Sequence, residues 1–465
     1  MNQSIFKIAI SAAHGGSNSN LIPLGGGAAV CERLLQAWSD LPNLEIDLIA
    51  PGKASPIQNG GLEHREKDAP GYESEIISCS SPGHSRATVR IIRVPVLKEG
   101  ENPSSLSTLR YAKFCRQFEK ASTSVILELK PDIVLTHDIS EGPDFRALQA
   151  ARIPCVPIFH VDVNDFFCRM YLKNYLTAKQ GEHWFAKVRH LPIVPDLLRL
   201  VFDKQFYAVK TCPKLIVPSA GMKTILTETY PKFKSLSSRL EVIPWGSPEP
   251  DFSEEEISDA KRQINEEFNL SADTPVIVML SRISPEKAQN KMIDALLWGE
   301  QFGEIPHNLT LMICGDASFM QGKKFYKKLK AKAAKLHSAR VIFPGHVGGL
   351  KKAAILSRAD IFVSTSYHES YGLTTMEAML EGTPAIALDT PGARQTIKPN
   401  TGLIIDSAEP NVPQLWKAVY SVLKNPEYKE RMSLAASEYA REETFAKAAE
   451  HILNLLYTCR AEYKA

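Results

Sequence analysis

The chain has 465 residues, 44% hydrophobic and 23% charged, which excludes a disordered or fibrous polymer and leaves room for two or three domains with large cores. A net charge of +3 excludes nucleic-acid attraction by the chain as a whole and leaves any anionic surface to local patches. Eight dispersed cysteines without a C-x-x-C pair read as reduced thiols of a cytosolic protein, and the N-terminus has no signal-peptide pattern. With no run near the roughly 18 apolar residues of a membrane span, the expectation is a chain that neither enters nor crosses a membrane but can lie on one.

Residues 5–10 read as a first strand, after which Gly25-Gly26-Gly27 opens an apolar-periodic helix to about Trp38, and residues 44–50 read as a second strand. These glycines suit a loop that meets a ligand with bare backbone, or a turn alone. A dinucleotide fingerprint fits less well, since Val30 stands where the third glycine of G-x-G-x-x-G belongs. Residues 51–86 are polar and aperiodic, predicting a surface insert away from the sheet. Strands over 89–96, 132–136 and 154–159, with a helix over 106–129, complete an alternation that predicts a parallel, doubly wound sheet. Its ligands lie beyond the carboxyl ends of the strands, where His137-Asp138 and His160 stand.

Residues 166–210 interleave aromatic and aliphatic side chains with eight cations against three carboxylates. Trp184, Phe185, Val188, Leu191, Leu197, Leu198, Leu200, Val201, Phe202 and Phe206 alternate with Lys187, Arg189, Arg199 and Lys204. That mixture suits the surface of an anionic bilayer, or the core of ordinary helices with a solvated basic face. Prolines at 192 and 195 predict two short helical pieces. Strands over 214–219 and 240–244 flank a helix over 222–230. Ser247-Pro248-Glu249-Pro250 then reads as a stiff linker that ends a first domain at residue 246.

A second doubly wound domain over 247–442 is predicted from strands at 276–281, 309–314, 340–343, 361–365 and 385–388, followed by a last helical segment over 443–465. Its first strand runs into Ser281-Arg282-Ile283-Ser284-Pro285-Glu286-Lys287, two cations around a helix start. Cys314-Gly315-Asp316 and Pro344-Gly345-His346-Val347 follow the next two strands. The stretch from His368 to Pro384 reads as a loop feeding a short helix capped by Thr374 or Thr375 and ended by Gly382 and Pro384. Glu369 lies ahead of that helix and Glu377 inside it, near an end whose N–H groups and dipole attract phosphate.

The two glutamates followed by Gly-x-Pro and a strand, with Arg282 and Lys287 ahead of them, resemble the signature of the family 4 glycosyltransferases. These are retaining, nucleotide-sugar-dependent enzymes of the GT-B fold, in which two Rossmann-like domains face a central cleft. The resemblance is strong from about residue 276 to 405. Trp245-Gly246 after Pro244, and Gln395 where relatives carry Glu, depart from the pattern. The resemblance implies that Arg282 and Lys287 grip the donor diphosphate, Glu377 the ribose and Glu369 the hydroxyls of the transferred sugar, with His160 facing that sugar from the opposite wall. Glu369, His160, Arg282 and Lys287 form the catalytic set, and Gly26, Gly27, Gly315, His346, Ser370, Tyr371, Gly372 and Leu373 complete the donor site. It also implies that the last helix crosses back to the first domain, that no cofactor or metal is needed, and that the leaving phosphate helps to deprotonate the acceptor.

The reading is a glycosyltransferase that uses a UDP-linked sugar such as UDP-galactose or UDP-glucose. Its acceptor is a membrane glycolipid, as in galactolipid synthesis of the digalactosyldiacylglycerol type, and its place is the cytoplasm, peripheral on a membrane face. A soluble sugar or sugar phosphate as acceptor, a non-catalytic nucleotide-sugar-binding regulator, and an NAD-dependent oxidoreductase or epimerase are the competing readings.

Overall fold

A computed structural model describes residues 5–15, 25–53, 72–78, 86–103, 106–172, 175–317, 321–408 and 411–464. The chain forms two compact units, one of Met1–Pro218, Met222–Ile243 and Ala449–Ala465, the other of Ser219–Gly221 and Pro244–Ala448.

The first unit is built on strands β1 (Phe6–Ser11), β2 (Leu44–Lys53), β3 (Glu73–Ser78), β4 (Thr88–Leu97), β5 (Ile133–Thr136) and β6 (Cys155–Pro157), arranged β3-β4-β2-β1-β5-β6. All neighbours are parallel except β3, which runs antiparallel to β4. Strands β7 (Leu215–Val217) and β8 (Leu240–Val242) pair in parallel, and an isolated bridge joins Ile216 to Ile158 just past β6. Helix Thr108–Leu129 buries Phe114, Phe118, Ala121 and Val125, residues spaced at three to four positions, in the core. The end of the chain packs here too: Trp38 Nε1 donates to the Ala449 carbonyl at 3.1 Å, Phe6 stacks on Tyr457, and Arg460 bonds Asp132.

The segment 51–86 is therefore not wholly an excursion from the sheet. Strand β2 continues to Lys53 and β3 adds an edge, where one face can stay polar and the sequence shows no strong apolar period. Residues 54–71 and 79–85, the rest of that predicted insert, lie outside the described residues.

Residues 166–210 also depart from one of their two readings. Helices Ala178–Val188 and Asp196–Thr211 do form as two pieces, with Phe185 stacked on Phe202 at 4.7 Å between centroids. Their cations, however, turn inward to partners. Arg189 is held by Asp203 at 2.6 Å and Glu182 at 2.8 Å and lies over the Phe206 ring. Arg199 donates to the carbonyls of Arg189 and Leu191. Lys204 is 4% exposed and donates to Glu119 and to the carbonyls of Gly142 and Pro143. Of the four cations assigned to a bilayer surface only Lys187 is exposed, because a buried ammonium or guanidinium must find carboxylates and carbonyls and these three have found them. The apolar component remains outside. Tyr171, Tyr175, Trp184, Ile193 and Leu197 are exposed, five of the fifteen exposed large apolar side chains among the described residues.

The second unit holds β9 (Val276–Leu280), β10 (Thr310–Cys314), β11 (Arg340–Gly345), β12 (Ile361–Ser364), β13 (Ala385–Leu388) and β14 (Gly402–Ile405), all parallel, in the order β11-β10-β9-β12-β13-β14. The interior strands are continuous apolar runs, as a sheet covered on both faces requires. Strand β14 was not predicted, being four residues of an edge with no alternation to betray it. Leu415, Trp416, Val419 and Val422 of helix Val412–Lys424 close the core. The seven described cysteines are buried and unbridged, and no helix among the described residues is long and apolar enough to cross a membrane.

Candidate functional site

In the second unit the strand order reverses between β9 and β12, so the chain leaves their carboxyl ends in opposite directions and opens a crevice there. The segment after β9 is fixed by its neighbours. Gly315, at φ 147°, lies so close that a Cβ would stand 1.8 Å from the Ser281 carbonyl oxygen, so only glycine lets the end of β10 support this turn. Ile283 N donates to the Asp316 carbonyl at 2.8 Å, and Pro285–Lys287 forms a single 3-10 turn that ends on left-handed Ala288. Thr365, just past β12, donates its hydroxyl to the carbonyls of Lys287 and Ala288.

These constraints bring the two predicted charge pairs into register. Lys287 Nζ lies 2.7 Å from Glu369 Oε2, with side chains 18% and 25% exposed. Arg282 is 3.6 Å from Glu286 and open enough to meet a ligand. Glu377, the fifth residue of helix Leu373–Leu380, is buried against Lys352 at 3.1 Å. Both Glu286 and Lys352 escaped sequence reasoning. Glu286 lies within the Arg282 motif itself, whereas Lys352 comes from another helix and left no local trace. Gly315 N donates to the Gly345 carbonyl at 2.7 Å, which sets exposed His346 beside the end of β10.

Two expectations need correction. The short helix is capped by neither threonine. Its N-cap is Gly372, left-handed at φ 101°, without a side-chain cap, because a loop that turns this sharply needs glycine where a threonine cap would stand. Leu373 opens the helix, no side chain caps its first N–H groups, and Thr375 N donates to the Gly372 carbonyl at 3.0 Å. Tyr371 is no donor contact through its ring: it is 3% exposed and its hydroxyl accepts from Gly246 N at 2.7 Å. The phenol braces the backbone, and burial pushes its pKa up. A Cβ on Gly392 would come within 2.6 Å of Tyr371 N, so that glycine lets the two loops touch. Ser370 Oγ, beside them, is buried with no partner among the described residues.

In the first unit the strand order reverses between β1 and β5, and a second crevice opens at their carboxyl ends. His137 Nδ1 and His160 Nε2 are 3.0 Å apart, and burial holds both imidazoles below their ordinary pKa. Gly27 packs against the His160 ring, where a Cβ would stand 3.0 Å from Cδ2, while Gly26 is the first residue of the uncapped helix Gly26–Ser39. Around this pair lie groups the sequence did not single out. Tyr111 donates to Glu141 and lies 3.5 Å from His14 Nε2, and Asp138 accepts from Ala13 N at 2.9 Å. Burial pushes Asp138 up to about 6, against the pull of His14. The buried Nε2 of His137, Nδ1 of His14 and Oγ of Ser11 have no partner among the described residues, a donor and acceptor set suited to a hydroxyl-rich ligand. His160, Gly26 and Gly27 therefore belong to this crevice and Arg282, Lys287, Glu369 and Glu377 to the other.

Residues 260–439 match the model of a family described as glycosyl transferases group 1. A D-inositol 3-phosphate glycosyltransferase of Corynebacterium efficiens is 28% identical over 200 residues, 42% of this chain and 46% of that protein, so the chain spans about half the length of this relative. An alpha-monoglucosyldiacylglycerol synthase of Streptococcus pneumoniae is 24% identical over 293 residues, 55% of this chain and 62% of that protein. Among solved structures, the Anabaena protein HepE in complex with UDP-glucose superposes with a TM-score of 0.60 at 15% identity, covering 97% of this chain and 99% of that one.

Proposed function

We propose that this chain is a GT-B glycosyltransferase, its residues 260–439 matching the group 1 pattern, and that it moves a sugar from UDP to a membrane glycolipid with retention of configuration. The observation that carries the donor half is the Lys287–Glu369 pair at the reversal between β9 and β12, beside Arg282 and the uncapped helix N-terminus. Arg282, Lys287 and the N–H groups of that N-terminus bind the diphosphate and stabilise the charge it gains as the C1–O bond breaks. Glu369, already fixed by Lys287, accepts hydrogen bonds from the sugar hydroxyls, and Ser370 Oγ can add one. Glu377 takes the ribose hydroxyls, oriented by Lys352. As the acceptor oxygen bonds C1 on the face the leaving group departs, its proton passes to the leaving phosphate, so the chain supplies no nucleophile. The cations do the work a divalent ion does in other transferases, and no metal is required.

The acceptor is assigned to the first unit, where His137 and neutral His160 with Asp138, Glu141 and His14 offer partners to hydroxyls. The lipid reading now rests on exposed Tyr171, Tyr175, Trp184, Ile193 and Leu197 and no longer on the cations among them. The relative named for diacylglycerol chemistry supports it, and the one named for inositol phosphate supports a soluble phosphorylated acceptor instead. The test incubates the pure protein with radiolabelled UDP-galactose and UDP-glucose, together with a total lipid extract or a panel of sugar phosphates. Label in the organic phase is expected. Label confined to the aqueous phase assigns a soluble acceptor, and no transfer from either donor refutes the UDP-galactose and UDP-glucose reading.

A further inference from the structure

Between Asp316 and Asp360 the sequence has no Asp or Glu, yet it carries nine lysines and two arginines, on a chain whose net charge is +3. The fold gives five of these cations partners, although exposed Arg340 meets a carbonyl and keeps its charge. Lys332 is held by Asp294 at 2.7 Å, Lys351 by Glu267 and Lys352 by Glu377. Arg340 donates to the Phe268 carbonyl, and Arg358 to Asn265 and to the carbonyls of Ser271 and Thr274. Lys323, Lys324, Lys327, Lys328, Lys330 and Lys335 are all exposed, on or just beyond helix Gly322–Ala333, and among the described residues no carboxylate pairs with them. Lys330 lies over the Tyr326 ring, which leaves its charge intact.

The opposite face of the helix is fixed. Leu329 is in the core of the second unit, with Phe325, Tyr326, Ala333 and Leu336 packed against it. The lysines therefore form one rigidly held stripe, and like charges at spacings of three and four destabilise the helix that carries them. Such a stripe is held against its own repulsion unless an external anion faces it. No exposed large apolar side chain lies between Phe302 and Tyr367 among the described residues, so the stripe attracts without inserting.

We propose that helix Gly322–Ala333 is an electrostatic docking surface for an anionic lipid bilayer. Among the described residues, six of the seven cations of this stretch that meet no carboxylate are lysines, Arg340 being the seventh. Ammonium point charges suit the smeared charge of lipid headgroups, whereas nucleic-acid recognition draws on the forked geometry of arginine. The membrane surface named here deepens the glycolipid reading, but docking needs no acceptor, so each can fail alone.

The test is co-sedimentation of the full-length chain with phosphatidylcholine vesicles, with and without phosphatidylglycerol and free of glycolipid. The wild type is compared with a variant carrying Lys323→Gln, Lys324→Gln, Lys327→Gln and Lys328→Gln. A cation near an anionic surface contributes roughly fivefold to partition, so the variant should lose more than about a hundredfold, and salt should release the wild type. A Tm no lower than that of the wild type and an unchanged Kd for free UDP establish that the variant is folded. Equal partition of wild type and variant, or binding that is indifferent to phosphatidylglycerol or salt, overturns the proposal. Preference for a DNA duplex over the anionic vesicles at equal salt overturns it in favour of a nucleic-acid partner. Vesicle binding that persists when no lipid accepts sugar leaves the docking surface standing and refutes only the glycolipid acceptor.

Discussion

Replacing Lys287 with methionine keeps the aliphatic stem and deletes the charge, and the structure lets the two consequences be separated. The ammonium is 2.7 Å from Glu369, but 18% and 25% of the two side chains remain exposed, so water screens the pair and its loss costs about 1 kcal/mol of stability or less. For domains of this size that is a Tm change of roughly 2–4 °C at most. The contact proposed with the diphosphate is charge-assisted and worth roughly 1.5–3 kcal/mol, about ten- to a hundredfold in the Kd of free UDP. Calorimetric titration with UDP, beside a thermal melt of the same sample, should therefore show a large loss of affinity with a small loss of stability. Glu369 contributes to the loss, because its carboxylate is left facing the diphosphate without a counter-charge. Adding Glu369→Gln to Lys287→Met should thus restore part of the affinity, a coupling expected between residues in contact. If Lys287→Met binds UDP within about twofold of wild type, or the melt alone changes, the lysine only supports the loop and the diphosphate assignment fails.

The two glutamates should separate by kinetics: Glu369→Gln lowers kcat with little effect on UDP affinity, while Glu377→Gln, which strands Lys352, weakens UDP-sugar and UDP alike. The reverse pattern would exchange their roles. Excess chelator should leave activity unchanged, and loss of activity restored by manganese would replace the lysine and arginine mechanism with a metal-assisted one. Asp138 binds its proton more tightly folded, at about 6, than in an unfolded chain near its ordinary value of 3.8. Its contribution to stability is therefore complete below about pH 4 and lost as pH rises through about 6. Asp138→Asn should remove up to one proton from the slope of stability against pH in that window, on the order of 1 kcal/mol per pH unit, and urea melts across pH 4–7 that superpose for the two proteins would refute it.

Much of this was legible in the sequence because it is local. Apolar runs such as Val276–Leu280 and Ala385–Leu388 are strands wherever they occur in a doubly wound sheet, and Arg282, Lys287, Glu369 and Glu377 are fixed to the ends of those runs by a few intervening residues. Gly315 and Gly372 stood in the sequence as loop glycines of the expected donor site, and the fold adds what each must approach. The tertiary structure alone decided which groups meet. That Tyr371 braces Gly246, that His137 holds His160 and that Lys352 holds Glu377 are contacts between residues far apart in the chain. The sharpest case is the two lysine-rich stretches. Residues 166–210 looked basic, yet Lys204 finds its partners at Glu119, Gly142 and Pro143, while Lys323 to Lys328, unremarked in the sequence, meet no carboxylate among the described residues. A sequence states how many charges it carries, but whether a charge is spent inside or offered to the surroundings depends on which distant carboxylates and carbonyls the fold delivers within about 3 Å of it.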